Sequence, residues 1–158
     1  LLAFPVEADL PYQLLLSALL GNNYAAEQVF SSATADYALS GLFFRSQNGN
    51  DLKSALQAAL KHLKSIKIDE TVLKSAKHRA LHAYTSSIDS RKGRVLTFAH
   101  QFALKRVVSD ESQMQKALEA ISLKQLQELV DAVFKQSSPT LISKGAIKEL
   151  PFLEDLKY

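Results

Sequence analysis

Residues 69–107 read DETVLKSAKHRALHAYTSSIDSRKGRVLTFAHQFALKRV, the longest helix-like run in the chain. Asp69 is placed to cap it, and Val72, Leu73, Ala76, Ala80, Leu81 and Tyr84 then recur at helical spacing. Beyond the polar patch Thr85 to Gly93 the apolar series resumes with Val95, Leu96, Ala99, Phe102, Ala103 and Val107. The pattern predicts one long helix bent or broken near Gly93, or two helices end to end. A helical run of that length is expected to lie across a sheet with other helices beside it.

The residues upstream supply the strands. Leu1 to Val6 reads as a strand apolar enough to be central, with Pro5 tolerated only near an end or an edge. Asp9 and Pro11 mark the start of a helix whose expected buried face is Leu14, Leu15, Ala18 and Leu19, and Gly21-Asn22-Asn23 stops it. Tyr24 to Ser32 fits a short helix as well as a loop. From Ala35 to Phe44 the period is two, with Ala38, Ser40, Leu42 and Phe44 on one face and Gly41 in mid-strand, which predicts a bulge or a close backbone neighbour. Asn48-Gly49-Asn50 is a turn. Leu52, Leu56, Ala59, Leu60, Leu63 and Ile66 then form the clearest amphipathic helix, with Asn50 as its expected cap.

Downstream, Asp110 and Glu111 open another helix, with Met114, Ala117, Leu118 and Ile121 as its apolar side. Ser122 and Gln125 make a capping box for the next, whose core face is Leu126, Leu129, Val130, Val133 and Phe134. Thr140 to Ser143 reads as a short strand, Lys144-Gly145 as a turn, and 151–156 as a tail that packs down. The order predicts a single α+β domain over 1–158, a small mostly antiparallel sheet of at least three strands covered on one face by helices.

Composition bounds the chemistry. The chain has 158 residues, 47% hydrophobic and 22% charged, the balance of a globular protein. It contains no cysteine, which excludes disulfides and thiolate metal sites. The net charge of +3 is mild and selects no partner class by itself.

Motifs for catalysis are sparse. His78 and His82 stand four apart on a helix, a spacing used by metal ligands, but Arg79-Ala80-Leu81 between them supplies no glutamate, and Lys77 and Arg79 add positive potential. His62 and His100 are solitary. The acidic pairs Asp69-Glu70 and Asp110-Glu111 are explained as helix starts. Ser86, Ser87 and Ser90 lack a nucleophile elbow, and the glycines are too scattered to cradle phosphate. The densest basic patch, Arg91, Lys92 and Arg94, suits an anionic lipid headgroup or an acidic partner. Aromatic residues are not interleaved with the cations, which argues against nucleic acid.

Several strings together resemble the last domain of the pitrilysin-type metallopeptidase superfamily. Ala38-Leu39-Ser40-Gly41-Leu42-Phe43 resembles its strand with a Ser-Gly-Leu-Phe motif. Thr71 to Tyr84, with Ala76-Lys77 and Ala83-Tyr84, is similar to its long helix. Pro151-Phe152-Leu153-Glu154-Asp155-Leu156 resembles the ending found in the second of the two core proteins of mitochondrial ubiquinol–cytochrome c reductase, respiratory complex III. The short, glycine-poor segment from Gly21 to Thr34 resembles the core proteins more than the α-subunit of the mitochondrial processing peptidase.

The resemblance implies a non-catalytic structural domain, the last part of a longer subunit, without a cofactor or membrane span. It would lie on the matrix side of the mitochondrial inner membrane, against the first core protein and other complex III subunits. Leu42, Phe44, Phe152 and Leu156 are the expected contributors to core or interface. The family's inverted zinc motif, His-x-x-Glu-His, is not present, and 78–82 does not match it, so no catalytic residue carries over. Two other readings remain: a substrate-binding or non-catalytic domain of a zinc processing peptidase, and a module that binds anionic lipid or RNA through Arg91, Lys92 and Arg94.

Overall fold

A computed structural model describes residues 1–7, 9–21, 26–34, 36–145 and 152–156. Strand β1 (Leu2–Glu7) runs between β3 (Tyr37–Phe43) and β4 (Thr140–Leu141), and β2 (Gln28–Ala33) pairs with the far side of β3. All three pairings are antiparallel, in the order β2-β3-β1-β4. The α+β architecture read from the sequence is therefore present, with β1 central as its apolar content implies. Pro5 fits because β4 reaches only Leu2 and Ala3, which leaves β1 unpaired on that side at Pro5.

The strand β2 corrects the sequence reading of a short helix or loop. Its registered pairs with β3 run from Gln28 opposite Phe43 to Ala33 opposite Ala38. Tyr24 lies outside the described residues. Gly41 meets the second of its two expectations. The register passes through it without a bulge, from Phe30 on one side to Ala3 on the other. A β-carbon there would stand 2.0 Å from the Leu2 carbonyl oxygen and 2.6 Å from the Phe30 ring. The ring occupies the space a side chain would fill, so only glycine fits.

Alternation sorts the sheet into two faces. Leu2, Phe4, Val6, Ala38, Ser40 and Leu42 are buried beneath helices. Helix α1 (Leu10–Leu20) lies on that face. Its buried residues are Gln13, Leu15, Leu16, Leu19 and Leu20, so the inward stripe is rotated from the one expected, and Leu14 and Ala18 are half-buried. The other face carries Phe30, Tyr37, Leu39 and Phe43.

Helix α2 (Gly49–Ser65) buries Leu56, Ala59, Leu60 and Leu63. Its cap is Asn48 rather than Asn50: the Asn48 carboxamide oxygen accepts from the Asn50 amide at 2.9 Å. Helix α5 (Glu111–Ala120) and helix α6 (Leu123–Val130) each begin with a capping box, Asp110 with Gln113 and Ser122 with Gln125. Past Val130, α6 widens into a π-turn over Asp131–Gln136. The turn aims Phe134 at the sheet, where its ring meets Phe4 edge-on at 5.1 Å. Of the four residues expected in core or interface, Leu42, Phe44 and Leu156 lie in the core and Phe152 is exposed.

The opening stretch forms two helices, α3 (Glu70–Asp89) and α4 (Arg91–Lys105). Asp69 caps α3 by accepting from the Val72 amide at 2.8 Å. Leu73, Ala76, Ala80, Tyr84 and Ile88 are its buried stripe. α3 packs chiefly on α1, α4 and α5, so it forms a second layer over α1 rather than lying on the sheet itself.

Candidate interaction surface

Ser90 sets the geometry of the surface. It is extended, with φ −83° and ψ 151°, and so ends α3 and begins α4. Its hydroxyl accepts from the Gly93 amide at 3.0 Å, the ordinary N-cap bond. The break therefore falls three positions before Gly93. Gly93 is needed for a different reason: a β-carbon there would stand 2.3 Å from the Ser87 carbonyl oxygen. The first turn of α4 presses directly on the last turn of α3.

A buried polar latch holds the two helices in that relation. The Gln101 carboxamide donates to the Tyr84 hydroxyl at 3.0 Å and accepts from the Ser109 amide at 2.9 Å. The Tyr84 hydroxyl donates in turn to the Ser109 carbonyl. Gln101 is the buried residue of α4, and the latch satisfies it. Sequence reading did not find it, because a glutamine beside a histidine on a helix reads as solvent-facing.

With Gln101 turned inward, the opposite side of α4 faces outward. That side carries Lys92, Val95, Leu96, Ala99, Phe102, Ala103 and Arg106, spaced at three and four residues as one helix face requires. Val95 is 67% exposed, Leu96 59% and Phe102 51%. Their helical spacing was legible in the sequence, but the direction in which they face was not, and in the structure they are exposed. The turn at Ser90 reorients the helix, so the apolar stripe of α4 points away from the core.

The three cations singled out by sequence differ in what they do. Arg91 and Lys92 are exposed and hold no ion pair among the described residues. Arg94 reaches back, its Nε donating to the Ile88 carbonyl at 3.1 Å, and so satisfies an acceptor in the last turn of α3. At the other end, Arg106 terminates α4 in the left-handed region, φ 57°, with its amide donating to the Phe102 carbonyl at 2.9 Å. Its guanidinium lies 5.5 Å from the centre of the Phe102 ring, in cation–π range. Cations in the first turn oppose the helix dipole, so Arg91 and Lys92 do not serve helix stability.

The histidines form no site. His62, His78, His82 and His100 are all exposed, and among the described residues no three His, Asp or Glu side chains cluster closely enough to hold a metal ion. Among them, too, no helix is long and apolar enough to cross a membrane.

No family model and no curated protein matches the chain. Among solved structures, a chain of complex III2 from Candida albicans, with Inz-5 bound, is similar over 84% of this chain, with a TM-score of 0.59 and 13% sequence identity. The match covers 39% of that chain, so the present sequence spans about two fifths of its length. At this identity the likeness establishes a common fold.

Proposed function

We propose that this chain is a non-catalytic structural domain of a complex III subunit of the core-protein type, the last domain of a longer polypeptide. Its place would be the matrix side of the mitochondrial inner membrane, beside the first core protein and other subunits of the complex. The observation that carries the reading is the fold likeness to a chain of complex III2. The strings 38–43, 71–84 and 151–156 support it from the sequence. The role is one of shape: a four-stranded sheet stiffened by two helical layers offers rigid faces to neighbouring domains.

The test is extraction of the tagged protein from mitochondria in mild detergent, followed by native separation and a haem absorption spectrum of the band. Migration with haem-bearing membrane subunits is expected. A haem-free band at the size of the protein alone, or of a soluble pair with a peptidase subunit, would refute the assignment.

A further inference from the structure

We infer that the outward face of α4 is a docking surface for an anionic lipid bilayer, on which the helix lies parallel to the membrane plane. Two independent observations carry this. The first is the face itself: Val95, Leu96, Ala99, Phe102 and Ala103 form a continuous apolar stripe on a helix whose core side is already satisfied by the Gln101 latch. Large apolar side chains grouped on one exposed face are what interfacial helices bury at the headgroup boundary.

The second is where the charge sits. Arg91, Lys92, Arg94, Lys105 and Arg106 lie in or beside α4, with Lys92 and Arg106 on the outward face and Arg94 turned back on α3, and no Asp or Glu occurs between Asp89 and Asp110. These five cations exceed the net charge of the whole chain, +3, so everything outside the segment sums to a negative charge. The mild basicity of the protein is thus the basicity of one helix. Lys92 and Arg106 stand at the two ends of the stripe, three residues before Val95 and four after Phe102. An acidic partner protein would need an acidic rim around an apolar groove, whereas a bilayer supplies an anionic plane over an apolar layer. Cations at both ends of an apolar stripe match the plane.

Arg106 adds a structural sign. A non-glycine residue in the left-handed region is disfavoured, and helices commonly end there in glycine. The conformation kept here sets the guanidinium near the Phe102 ring on the exposed face. The cation there is favoured by the C-terminal dipole of α4 and by the Phe102 ring, and it stands on the exposed face.

Co-sedimentation of the purified protein with lipid vesicles tests this. Vesicles of phosphatidylcholine containing about a third phosphatidylglycerol should bind it, phosphatidylcholine alone should not, and added salt should weaken the binding. Each cation near the surface is worth about fivefold in partitioning. Arg91→Glu with Lys92→Glu should therefore lower binding more than tenfold. Leu96→Glu with Phe102→Glu should abolish it, with an unchanged circular dichroism spectrum because both side chains are exposed. Equal binding to neutral vesicles, or indifference to both double substitutions, would overturn the inference. So would light scattering that shows a dimer without lipid, dissociated by Leu96→Glu with Phe102→Glu, since the face would then belong to a second copy. The vesicle assay needs no other subunit, so its outcome is separate from that of the complex III assignment.

Discussion

Gln101 joins Tyr84 and Ser109 through both ends of its carboxamide, at 3.0 and 2.9 Å, and thereby ties α4 to α3 and to the chain leading into α5. Replacing it with leucine would leave the Ser109 amide and the Tyr84 hydroxyl short of a partner in a buried setting. Gln101→Leu is expected to cost about 1–3 kcal/mol, and Tyr84→Phe about 1–2 kcal/mol. Because the two share one network, the double variant should lose less than the sum. Urea unfolding of the four proteins measures the cycle, and strict additivity would mean the latch does not act as a unit.

Gly41 is a position at which the sheet leaves no room for a side chain. Gly41→Ala sets a methyl group against the Leu2 carbonyl and the Phe30 ring, and the first of these is backbone in the central strand. A loss of about 3 kcal/mol or more is expected from the overpacking and the strand shift it forces. Trimming the ring with Phe30→Ala should not restore stability, because the Leu2 carbonyl remains. Thermal unfolding of the single and double variants would decide it; recovery in the double variant would place the conflict at the ring instead.

The helices and several of their caps were legible in the sequence because the signals are local, although Asp9 makes no side-chain cap bond to α1 and the cap of α2 is Asn48 rather than Asn50. Asp69, Asp110 and Ser122 each hold the cap bond that their spacing from the next apolar run implied. Gly41 was legible as a close approach, although the ring that fills its place was not. Strand β2 was missed because Val29 and Phe30 are consecutive apolar residues on opposite faces of an edge strand, both half-buried, so no clear period marks either face. The α4 surface was missed for a deeper reason. Periodicity shows that Val95, Leu96, Ala99, Phe102 and Ala103 share a face, but the direction of that face depends on the backbone at Ser90 and on a single buried glutamine. The cations 91, 92 and 94 were visible as a patch. Their relation to an exposed apolar stripe required the fold.

The three cations of that patch should separate in a stability assay. Arg94 supplies a donor to the Ile88 carbonyl, so Arg94→Ala should lower stability by about 1 kcal/mol. Arg91→Ala and Lys92→Ala remove exposed charges that oppose the α4 dipole, so their effect should be within about 0.5 kcal/mol of zero or slightly stabilising. Denaturant midpoints at low and high salt give the comparison. An equal loss for all three would mean that Arg94 does not brace α3.

Arg106 offers the sharpest separation of stability from surface function. Its left-handed backbone is one that glycine adopts without strain, so Arg106→Gly relieves about 1–2 kcal/mol while losing about 0.5–1 kcal/mol of ring contact and about 0.3–1 kcal/mol of dipole interaction, and stability should be unchanged or up to about 1 kcal/mol higher. The same change removes one cation from the end of the apolar stripe and should weaken binding to anionic vesicles about fivefold. A variant that is no less stable yet binds less cannot be explained by damage to the fold. If Arg106→Gly instead lowered the unfolding midpoint, the backbone strain would be too small to matter. If it left vesicle binding unchanged, the cation at that end of α4 would lie outside the lipid contact. Thermal unfolding and co-sedimentation on a single preparation report both quantities.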